Sequence, residues 1–266
     1  MSTLALAMSD GFVVAKRNLI KIKRVPEILI WTTMSPIMFV LLFAYVFGSS
    51  IEIPGTSYRE YLIAGVFAQT VMFGSTFTGA GLADDMTKGI IDRFRSLPMS
   101  RSAVLVGRTT SDILYNSISI AVMSLTGLIV GWRIRTSLLA AIGGFLLLLL
   151  FAYAISWIMA WVGLKVGSLE VVQNASFMFI MPLTFIANTF VRADFLPGPL
   201  KTFAEWNPVS SVAQAARESF GNVGQLPPPE VWSLQNPVAY TLIWVGIILA
   251  IFVPLSIRQF NKAAAR

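Results

Sequence analysis

Ionisable side chains of both signs cluster in one short segment, residues 83–101. They are Asp84, Asp85, Lys88, Asp92, Arg93, Arg95 and Arg101. The chain has no His and no Cys, which removes imidazole and thiol chemistry together with the metal sites that those groups build. It also has no GxxxxGK(S/T) loop, so it cannot hydrolyse ATP by a P-loop mechanism on its own. We therefore predict no catalytic residue and no metal site in this chain.

The same segment has the pattern of a short amphipathic helix that docks onto a partner. Its apolar face consists of Ile90, Ile91, Phe94 and Leu97, and its charged face of Lys88, Asp92 and Arg95. Pro98 ends the helix, because proline lacks the backbone N–H that the next turn requires. The charge pattern alone also fits a solvated loop, so both interpretations stay open at this point.

The elements that hold this segment are strongly apolar. Of the 266 residues, 56% are hydrophobic and 12% charged, whereas a soluble domain averages roughly 25% charged residues. Six stretches are long enough to cross about 30 Å of hydrocarbon. They are residues 28–47, 61–83, 104–130, 138–164, 171–191 and 238–257. We predict an all-α membrane protein with six transmembrane helices, and we place Asp112 in the first turns of the third, near the interface.

The basic residues predict the orientation of these helices. Fourteen of the 20 Lys and Arg residues fall in segments on one side of the predicted membrane and six on the other. Because cytoplasmic segments are enriched in Lys and Arg, both termini are predicted to be cytoplasmic. The same clusters explain the net charge of +7, so we predict no nucleic-acid partner.

The first 27 residues are predicted to form a cytoplasmic amphipathic helix in the membrane interface. Its apolar positions are Phe12, Ala15, Leu19 and Ile22, and its basic positions are Arg17, Lys21 and Arg24. The alternative is a basic flank without helical structure. In this division the transmembrane domain is residues 28–258, and residues 259–266 are a cytoplasmic tail.

The long segment 192–237 between the fifth and sixth predicted helices is too ordered in composition for a plain loop. It carries several prolines and the aromatic residues Phe195, Phe203, Trp206 and Phe220. Its apolar part, residues 209–220, is too short to cross a bilayer. We predict an outer re-entrant hairpin of short helices that is broken at Asn207-Pro208, because proline disfavours a helical conformation in the residue before it.

Three parts of the chain, each in the expected place, resemble the ABC-2 family of permeases, the membrane subunits of type V ABC exporters. One is the helix ending in Leu97-Pro98, followed by Arg101 and residues 105–108. Another is the outer segment, with Phe195-Leu196-Pro197, Trp206-Asn207-Pro208, Ala213 and Arg217. Residues 19–27 and 36–39 are similar to the daunorubicin/doxorubicin-resistance permease branch.

The resemblance implies a homodimer, or a heterodimer with a related permease, bound to two separate ATPase subunits that bind ATP and Mg²⁺. The helix of residues 84–97 would couple the permease to the ATPase. Its coupling residues would be Asp84, Asp85, Lys88, Asp92, Arg93, Phe94, Arg95 and Leu97. The N-terminal helix would lie against the ATPase, with Phe12, Arg17, Leu19, Lys21 and Arg24 as its characteristic residues.

The resemblance also implies a substrate path at the dimer interface, lined chiefly by the second and fifth helices. Candidate path residues are Gln69, Phe73, Thr76, Phe77, Asn174, Phe177, Phe185 and Asn188, each of which also fits ordinary helix packing. The outer end would be closed by Phe195, Trp206, Asn207 and Pro208, as a moving gate or as a fixed plug. An uncharged, aromatic-rich path suits an amphipathic or hydrophobic cargo.

These observations together predict the permease subunit of an ABC exporter that moves a drug-like or lipid-like molecule out of the cell. We expect a multi-pass protein of the bacterial plasma membrane, in contact with lipid and with its cargo. Exporters of lipids or polysaccharides share the fold and remain alternatives. An ion-coupled secondary transporter is a further alternative, although we find neither an internal repeat nor an ionisable residue in the helix cores.

Overall fold

A computed structural model describes residues 34, 36–48, 53–91, 103–225 and 227–263. Within these ranges the chain is helical, and its only extended contact is an isolated bridge between Ile53 and Thr56. The helices are α1 Pro36–Val46, α2 Tyr58–Gly74, α3 Thr76–Thr87, α4 Ala103–Val130, α5 Leu138–Val166, α6 Leu169–Phe185, α7 Gly198–Glu205, α8 Pro208–Phe220, α9 Trp232–Gln235 and α10 Pro237–Ala263.

Four of the predicted transmembrane segments are confirmed as helices long and apolar enough to cross a membrane. They are the helix pair Tyr58–Thr87, then Val104–Val130, Leu138–Val166 and Pro237–Lys262. The described part of the first predicted segment, α1, is shorter, and so is α6. At 1.5 Å per residue, the 17 residues of α6 span about 25 Å, less than the hydrocarbon thickness. The topology with six transmembrane helices therefore stays a prediction.

The fifth predicted segment ends earlier than its hydropathy suggests. We placed its end at residue 191, but α6 ends at Phe185, and Ile186 is its C-cap. Beyond this point the backbone bonds to the outer segment instead of continuing a helix, because the N–H of Asn188 donates to the Ser210 hydroxyl at 2.8 Å. A side chain that is distant in sequence thus sets the boundary.

The pair α2–α3 is the central element of the bundle. Of its most apolar 18 residues, 83% are buried, compared with 22% for α10. The two helices meet at Ser75, whose hydroxyl lies 2.7 Å from the carbonyl of Val71 and 3.0 Å from that of Ala152 in α5. A helix that is apolar on all sides and buried on all sides is a core helix, so α2–α3 is surrounded by other parts of the protein.

Helices α3 and α5 cross with their backbones in close approach. A Cβ atom added to Gly163 would clash with the carbonyl of Gly79, and one added to Gly79 would lie 2.6 Å from the carbonyl of Met159. Small residues allow such crossings, and dispersion contacts between the closely spaced backbones stabilise them in lipid. Helix α5 also packs against α4, α8 and α10, so it joins the inner and outer parts of the bundle.

The outer segment folds into two short helices, α7 and α8, on either side of Asn207. This residue caps α8: its Oδ1 accepts from the N–H of Val209 at 2.9 Å, and its Nδ2 donates to the carbonyl of Leu183 at 2.7 Å. Pro208 occupies the first position of α8, where its missing N–H costs nothing. The break therefore lies at the predicted dipeptide, while the insertion of these helices into the membrane stays a prediction.

The predicted coupling helix differs from a single helix over residues 84–97. Asp84 and Asp85 belong to the last turn of α3, which ends at Thr87. Gly89 then takes a left-handed conformation with φ +65°, and Ile90 and Ile91 are helical again. The glycine interrupts the helix because its φ lies outside the helical region. Asp92, Arg93, Phe94, Arg95 and Leu97 lie outside the described residues, as does the whole N-terminal amphipathic segment.

Candidate functional site

A cavity of about 450 Å³ lies where α1, α2, α3, α4 and α6 meet. We call it the central cavity. Five aromatic side chains line it: Phe39, Phe73, Phe77, Tyr115 and Phe177. The polar side chains in its wall are Gln69, Thr70, Thr76 and Ser119. No charged residue is among its described lining residues. The cavity has the volume of a small-molecule site and a predominantly apolar wall with few polar groups, as such sites usually have.

Five of the eight predicted path residues line this cavity. They are Gln69, Phe73, Thr76, Phe77 and Phe177. The first four lie at positions i, i+4, i+7 and i+8. Residues with this spacing share one face of a helix, here that of the α2–α3 pair. The ring of Phe73 lies 6.2 Å from that of Phe177 in α6, so the second and fifth predicted helices meet here.

The polar groups of the central cavity differ in how far they are satisfied. The hydroxyl of Thr70 donates to the carbonyl of Val66, and that of Thr76 to the carbonyl of Phe73, each at 2.7 Å. The Nε2 of Gln69 is buried and has no hydrogen-bond partner among the residues that the structure describes. Because an unmatched buried amide is costly, Gln69 is the group most in need of a polar partner in this cavity.

The other three predicted path residues lie elsewhere. Asn174 is exposed on α6. The Phe185 ring meets that of Phe39 edge-on and that of Phe190 at a tilt, with ring centroids 6.0 and 4.9 Å apart. Asn188 follows the end of α6 and is hydrogen-bonded in the outer part of the molecule. The early end of α6 separates Asn188 from the central cavity.

Sequence reasoning missed the contribution of α4 to the cavity. Tyr115 and Ser119, four residues apart on α4, both line it, and the Tyr115 ring lies 5.1 Å from that of Phe77. Their helical spacing was the available signal.

A polar stripe on α4 packs against the same helix pair. Arg108, Asp112 and Asn116 follow one another at intervals of four residues, and Arg108 donates from Nη2 to the carbonyl of Phe77 at 2.7 Å. A Cβ atom on Gly74 would clash with the Asn116 amide. Asp112 is only 4% exposed. It lies in the third turn of α4 and is covered by protein, and its predicted place near the membrane interface stays a prediction.

The outer end of the bundle, where α2 begins and α8 lies, contains a buried guanidinium that sequence reasoning counted as a loop charge. Arg217 is 0% exposed. Its Nε donates to the carbonyl of Tyr61 at 3.0 Å and its Nη2 to that of Thr189 at 2.9 Å. The guanidinium carbon also lies 3.6 Å from the centre of the Tyr61 ring. Apart from the family resemblance at Arg217, the sequence carried no signal for this arrangement.

A second charged contact at the outer end joins α2 to the loop after α4. The guanidinium of Arg135 forms a fork on the Glu60 carboxylate, with Nη2 at 2.8 Å from Oε1 and Nε at 3.0 Å from Oε2. Ser57 caps the N–H of Glu60, and Thr56 donates to its carboxylate at 2.7 Å. The Glu60 hydrogen bonds raise the pKa of Arg135 above its ordinary value, so the guanidinium stays charged.

Of the predicted outer-gate residues, Trp206 contacts α10. Tyr240 donates from its hydroxyl to the carbonyl of Trp206 at 2.7 Å, and the two rings are 6.0 Å apart. Phe195 is 74% exposed. Asn207 and Pro208 form the start of α8. A gating role for these four residues stays a prediction.

The described coupling residues lie at the end of α3, opposite to the outer end. Lys88 pairs with Asp84 at 2.7 Å, while Asp85 is 6% exposed. Among the residues that the structure describes, no group of three carboxylates could hold a metal ion. The central cavity therefore offers aromatic rings and a few polar groups, which are suited to binding a small molecule.

Comparison with known proteins agrees with this architecture. The family model described as ABC-2 type transporter matches residues 11–220. The chain is 31% identical to the daunorubicin resistance ABC transporter permease protein DrrB1 of Streptomyces coeruleorubidus, over 98% of this chain and 89% of the relative. It is 25% identical to the probable doxorubicin resistance ABC transporter permease protein DrrC of Mycobacterium tuberculosis, over 84% and 78% respectively. It is also 23% identical to the putative transport permease ycf38 of Cyanophora paradoxa, over 96% and 89%. The chain belongs to the ABC-2 type transporter family.

Proposed function

We propose that this protein is the permease subunit of an ABC exporter that moves an amphipathic or hydrophobic small molecule outward. The observation that carries the proposal is the central cavity, an uncharged, aromatic-lined space of about 450 Å³. Two relatives that cover most of the chain are named daunorubicin or doxorubicin resistance permeases. Such cargo is rich in aromatic surface, which the rings of this cavity would contact.

The wall of the central cavity supports an apolar cargo better than a polymer of sugars. A sugar chain needs many hydrogen-bonding partners, whereas two of the hydroxyls here already bond within their own helices. The amide of Gln69 is left to hold one polar group of an otherwise apolar molecule. The arrangement therefore favours a molecule with a large aromatic or hydrocarbon part and few polar contacts.

Energy would come from a partner. We propose two copies of a separate ABC ATPase, which bind ATP and Mg²⁺, and a second permease chain that completes the transport path. The same helix, α3, carries Thr76 and Phe77 in the cavity wall and Asp84 and Asp85 at its other end. Eight residues of helix correspond to about 12 Å. A shift of the ATPase-facing end of α3 would thus reach the cavity within two to three turns.

The orientation of the proposed complex follows from the positive charges. With both termini in the cytoplasm, the end of α3 and the polybasic segments would face the ATPase, and the α7–α8 hairpin would lie at the outer leaflet. The relatives come mainly from bacteria, which favours the bacterial plasma membrane as the location.

A second candidate is an ion-coupled transporter, which the buried carboxylate of Asp112 favours. Ionisable groups within membrane segments often mark ion or proton paths. Here, however, Arg108 lies one helical turn before Asp112 on the same helix, and its positive charge disfavours a second cation beside the carboxylate.

The test is transport in vesicles that contain the permease with and without its ATPase subunit. Inverted vesicles with both subunits should accumulate doxorubicin, the probe, only when ATP is supplied. Phe73→Ala should lower that uptake severalfold, because it removes a ring from the cavity wall. Phe179→Ala is the matched control, since the Phe179 ring is 73% exposed on α6 outside the cavity. Uptake driven by an ion gradient without the ATPase would contradict the proposal.

A further inference from the structure

A second, smaller cavity lies at the outer end of the bundle, separate from the central cavity. It has a volume of about 260 Å³ and is enclosed by the start of α2, the segment after α6, α8 and the run of prolines at 227–229. We call it the outer cavity. Its polar lining residues are Tyr61, Asn188, Arg192, Asp194, Gln214 and Glu218.

A chain of hydrogen bonds runs along one wall of the outer cavity and ends at a carboxylate. The Tyr61 hydroxyl donates to Oδ1 of Asn188, and Nδ2 of Asn188 donates to Oε1 of Gln214 at 3.4 Å. Nε2 of Gln214 then donates to Oε1 of Glu218 at 3.1 Å. Asn188 and Gln214 are 6% and 5% exposed, so this chain is part of the core.

The direction of the chain is fixed by its last member. An ionised carboxylate only accepts, so Gln214 must turn its NH₂ towards Glu218 and its oxygen towards Asn188. Asn188 must in turn offer its NH₂ to Gln214 and its oxygen to the Tyr61 hydroxyl. Each residue of the chain therefore donates to the next one. Glu218, the last residue, can only accept further hydrogen bonds.

The positive charges near the outer cavity are already engaged. Arg192 pairs with Asp194. Arg217 is fully buried and is not among the lining residues, and its Nε and Nη2 donate to backbone carbonyls. Among the described residues no Lys or Arg forms an ion pair with Glu218. The charge that the cavity offers to a ligand is therefore the negative charge of Glu218.

We propose that the outer cavity binds the protonated amino group of an amine, with Glu218 as its acceptor. The rings of Pro227, Pro228 and Pro229 form a rigid apolar wall for the hydrocarbon or aromatic part of the same molecule. This cavity would be an exit-side site for cationic amphipathic cargo. Its place on the transport path rests on the proposed function, whereas the binding of an amine does not.

The test uses the purified full-length permease in nanodiscs of phosphatidylcholine, a lipid without net charge, and no ATPase. Dansylcadaverine, a fluorescent primary amine, is compared with its N-acetyl derivative, which has neither the charge nor the three ammonium donors. The native protein should bind the amine about five- to tenfold more tightly, the range expected of a partly exposed charged hydrogen bond. Glu218→Gln should reduce this ratio to about one.

Two further variants keep the test specific. Glu230→Gln is the matched control, because the Glu230 side chain is 85% exposed and is not among the lining residues. It should leave the ratio unchanged. Gln214→Leu removes the hydrogen bond that orients Glu218 and should lower the ratio less than Glu218→Gln does. The thermal unfolding temperature of each variant shows whether it is folded.

The possible results separate this proposal from the proposed function. Equal binding of the two probes to the native protein, or a ratio that survives in Glu218→Gln, overturns the amine site. Loss of the ratio in Glu218→Gln, with the control intact, supports it. If ATP-driven uptake of doxorubicin fails while the ratio behaves as expected, the exporter proposal is wrong and the amine site stands.

Discussion

The outer end of the bundle is cross-linked by polar side chains, whereas the inner half is joined mainly by close backbone packing. At the outer end Arg217 bonds two carbonyls, Arg135 bonds Glu60, and Trp132 donates to Oδ1 of Asn222 at 2.7 Å. In the inner half, α3 and α5 approach through Gly79 and Gly163.

The difference follows from the solvent of each region. In hydrocarbon, apolar side chains gain nothing by leaving lipid, so helices associate through close packing and a few hydrogen bonds. At the outer end the chain forms short helices and loops whose backbone groups need partners, and side-chain hydrogen bonds satisfy them. The central cavity lies between these two regions. The helices around it are joined by side-chain hydrogen bonds at the outer end and by close backbone packing in the inner half.

Arg217→Ala should cause the largest loss of stability. It removes two charged hydrogen bonds and a cation–π contact from a fully buried site and leaves the carbonyls of Tyr61 and Thr189 without their donor. We expect a cost of about 3–5 kcal/mol, seen as a lower unfolding temperature in detergent and a lower yield. Arg217→Lys keeps the charge but not the planar fork, so its stability should lie between that of the native protein and that of Arg217→Ala. A native unfolding temperature in the alanine variant would contradict the structural role.

Gly163→Val should be the next most severe, and it tests the packing of the inner half. Its side chain would clash with the backbone of α3 at Gly79, and backbone cannot move aside cheaply. Overpacking of this kind costs about 1–3 kcal/mol. Gly143→Val on the same helix is the control, because no described atom outside the adjoining backbone of α5 lies within 4 Å of a Cβ added there. Equal unfolding temperatures for the two variants would show that α3 and α5 do not approach as closely as described.

Glu60→Gln should have a smaller effect that depends on salt. The Arg135 side chain is 60% exposed, so its fork on the Glu60 carboxylate is partly screened by solvent. We expect a fall in unfolding temperature smaller than that of Gly163→Val, largest at low ionic strength and reduced in 1 M salt. A loss that stays the same at all salt concentrations would assign the effect to the buried Glu60 side chain and not to the charge pair.

Gln69→Leu should leave stability nearly unchanged while it alters transport. The buried Nε2 of its amide has no partner in the described part of the chain, so replacing the amide by an apolar group of similar shape removes an unmet hydrogen-bonding group at no packing cost. ATP-driven uptake of doxorubicin should fall, because a polar group of doxorubicin loses the Gln69 amide as its partner in the central cavity. Both the unfolding temperature and the uptake of the variant are measured. A large drop in both would mean that Gln69 has a structural role.

Much of the architecture was predictable because hydropathy reports the solvent of each segment. The helices at Val104–Val130, Leu138–Val166 and Pro237–Lys262 agree with the predicted stretches within a few residues. The break at Asn207-Pro208 followed from the geometry of proline. The family resemblance pointed to the polar and aromatic residues of the second helix, and four of them, Gln69, Phe73, Thr76 and Phe77, line the central cavity.

Other features could not be read from local pattern. The end of α6 at Phe185 depends on the hydroxyl of Ser210, which is more than 20 residues away. The break after Thr87 depends on the left-handed conformation of Gly89. A glycine within a helical pattern can adopt either a helical or a left-handed conformation, and the pattern does not show which. The contribution of Tyr115 required knowledge of which helices are neighbours.

The sequence by itself determined the membrane class of this protein, its family and four of its transmembrane helices, because lipid imposes length and composition on each segment separately. Only the tertiary structure decided that Arg217 and Asp112 are buried, that Gln69 faces an aromatic cavity, and that Tyr61, Asn188, Gln214 and Glu218 form one hydrogen-bonded wall. The physical reason is that burial and hydrogen-bond partnership belong to pairs of residues far apart in sequence, and no single segment carries that information.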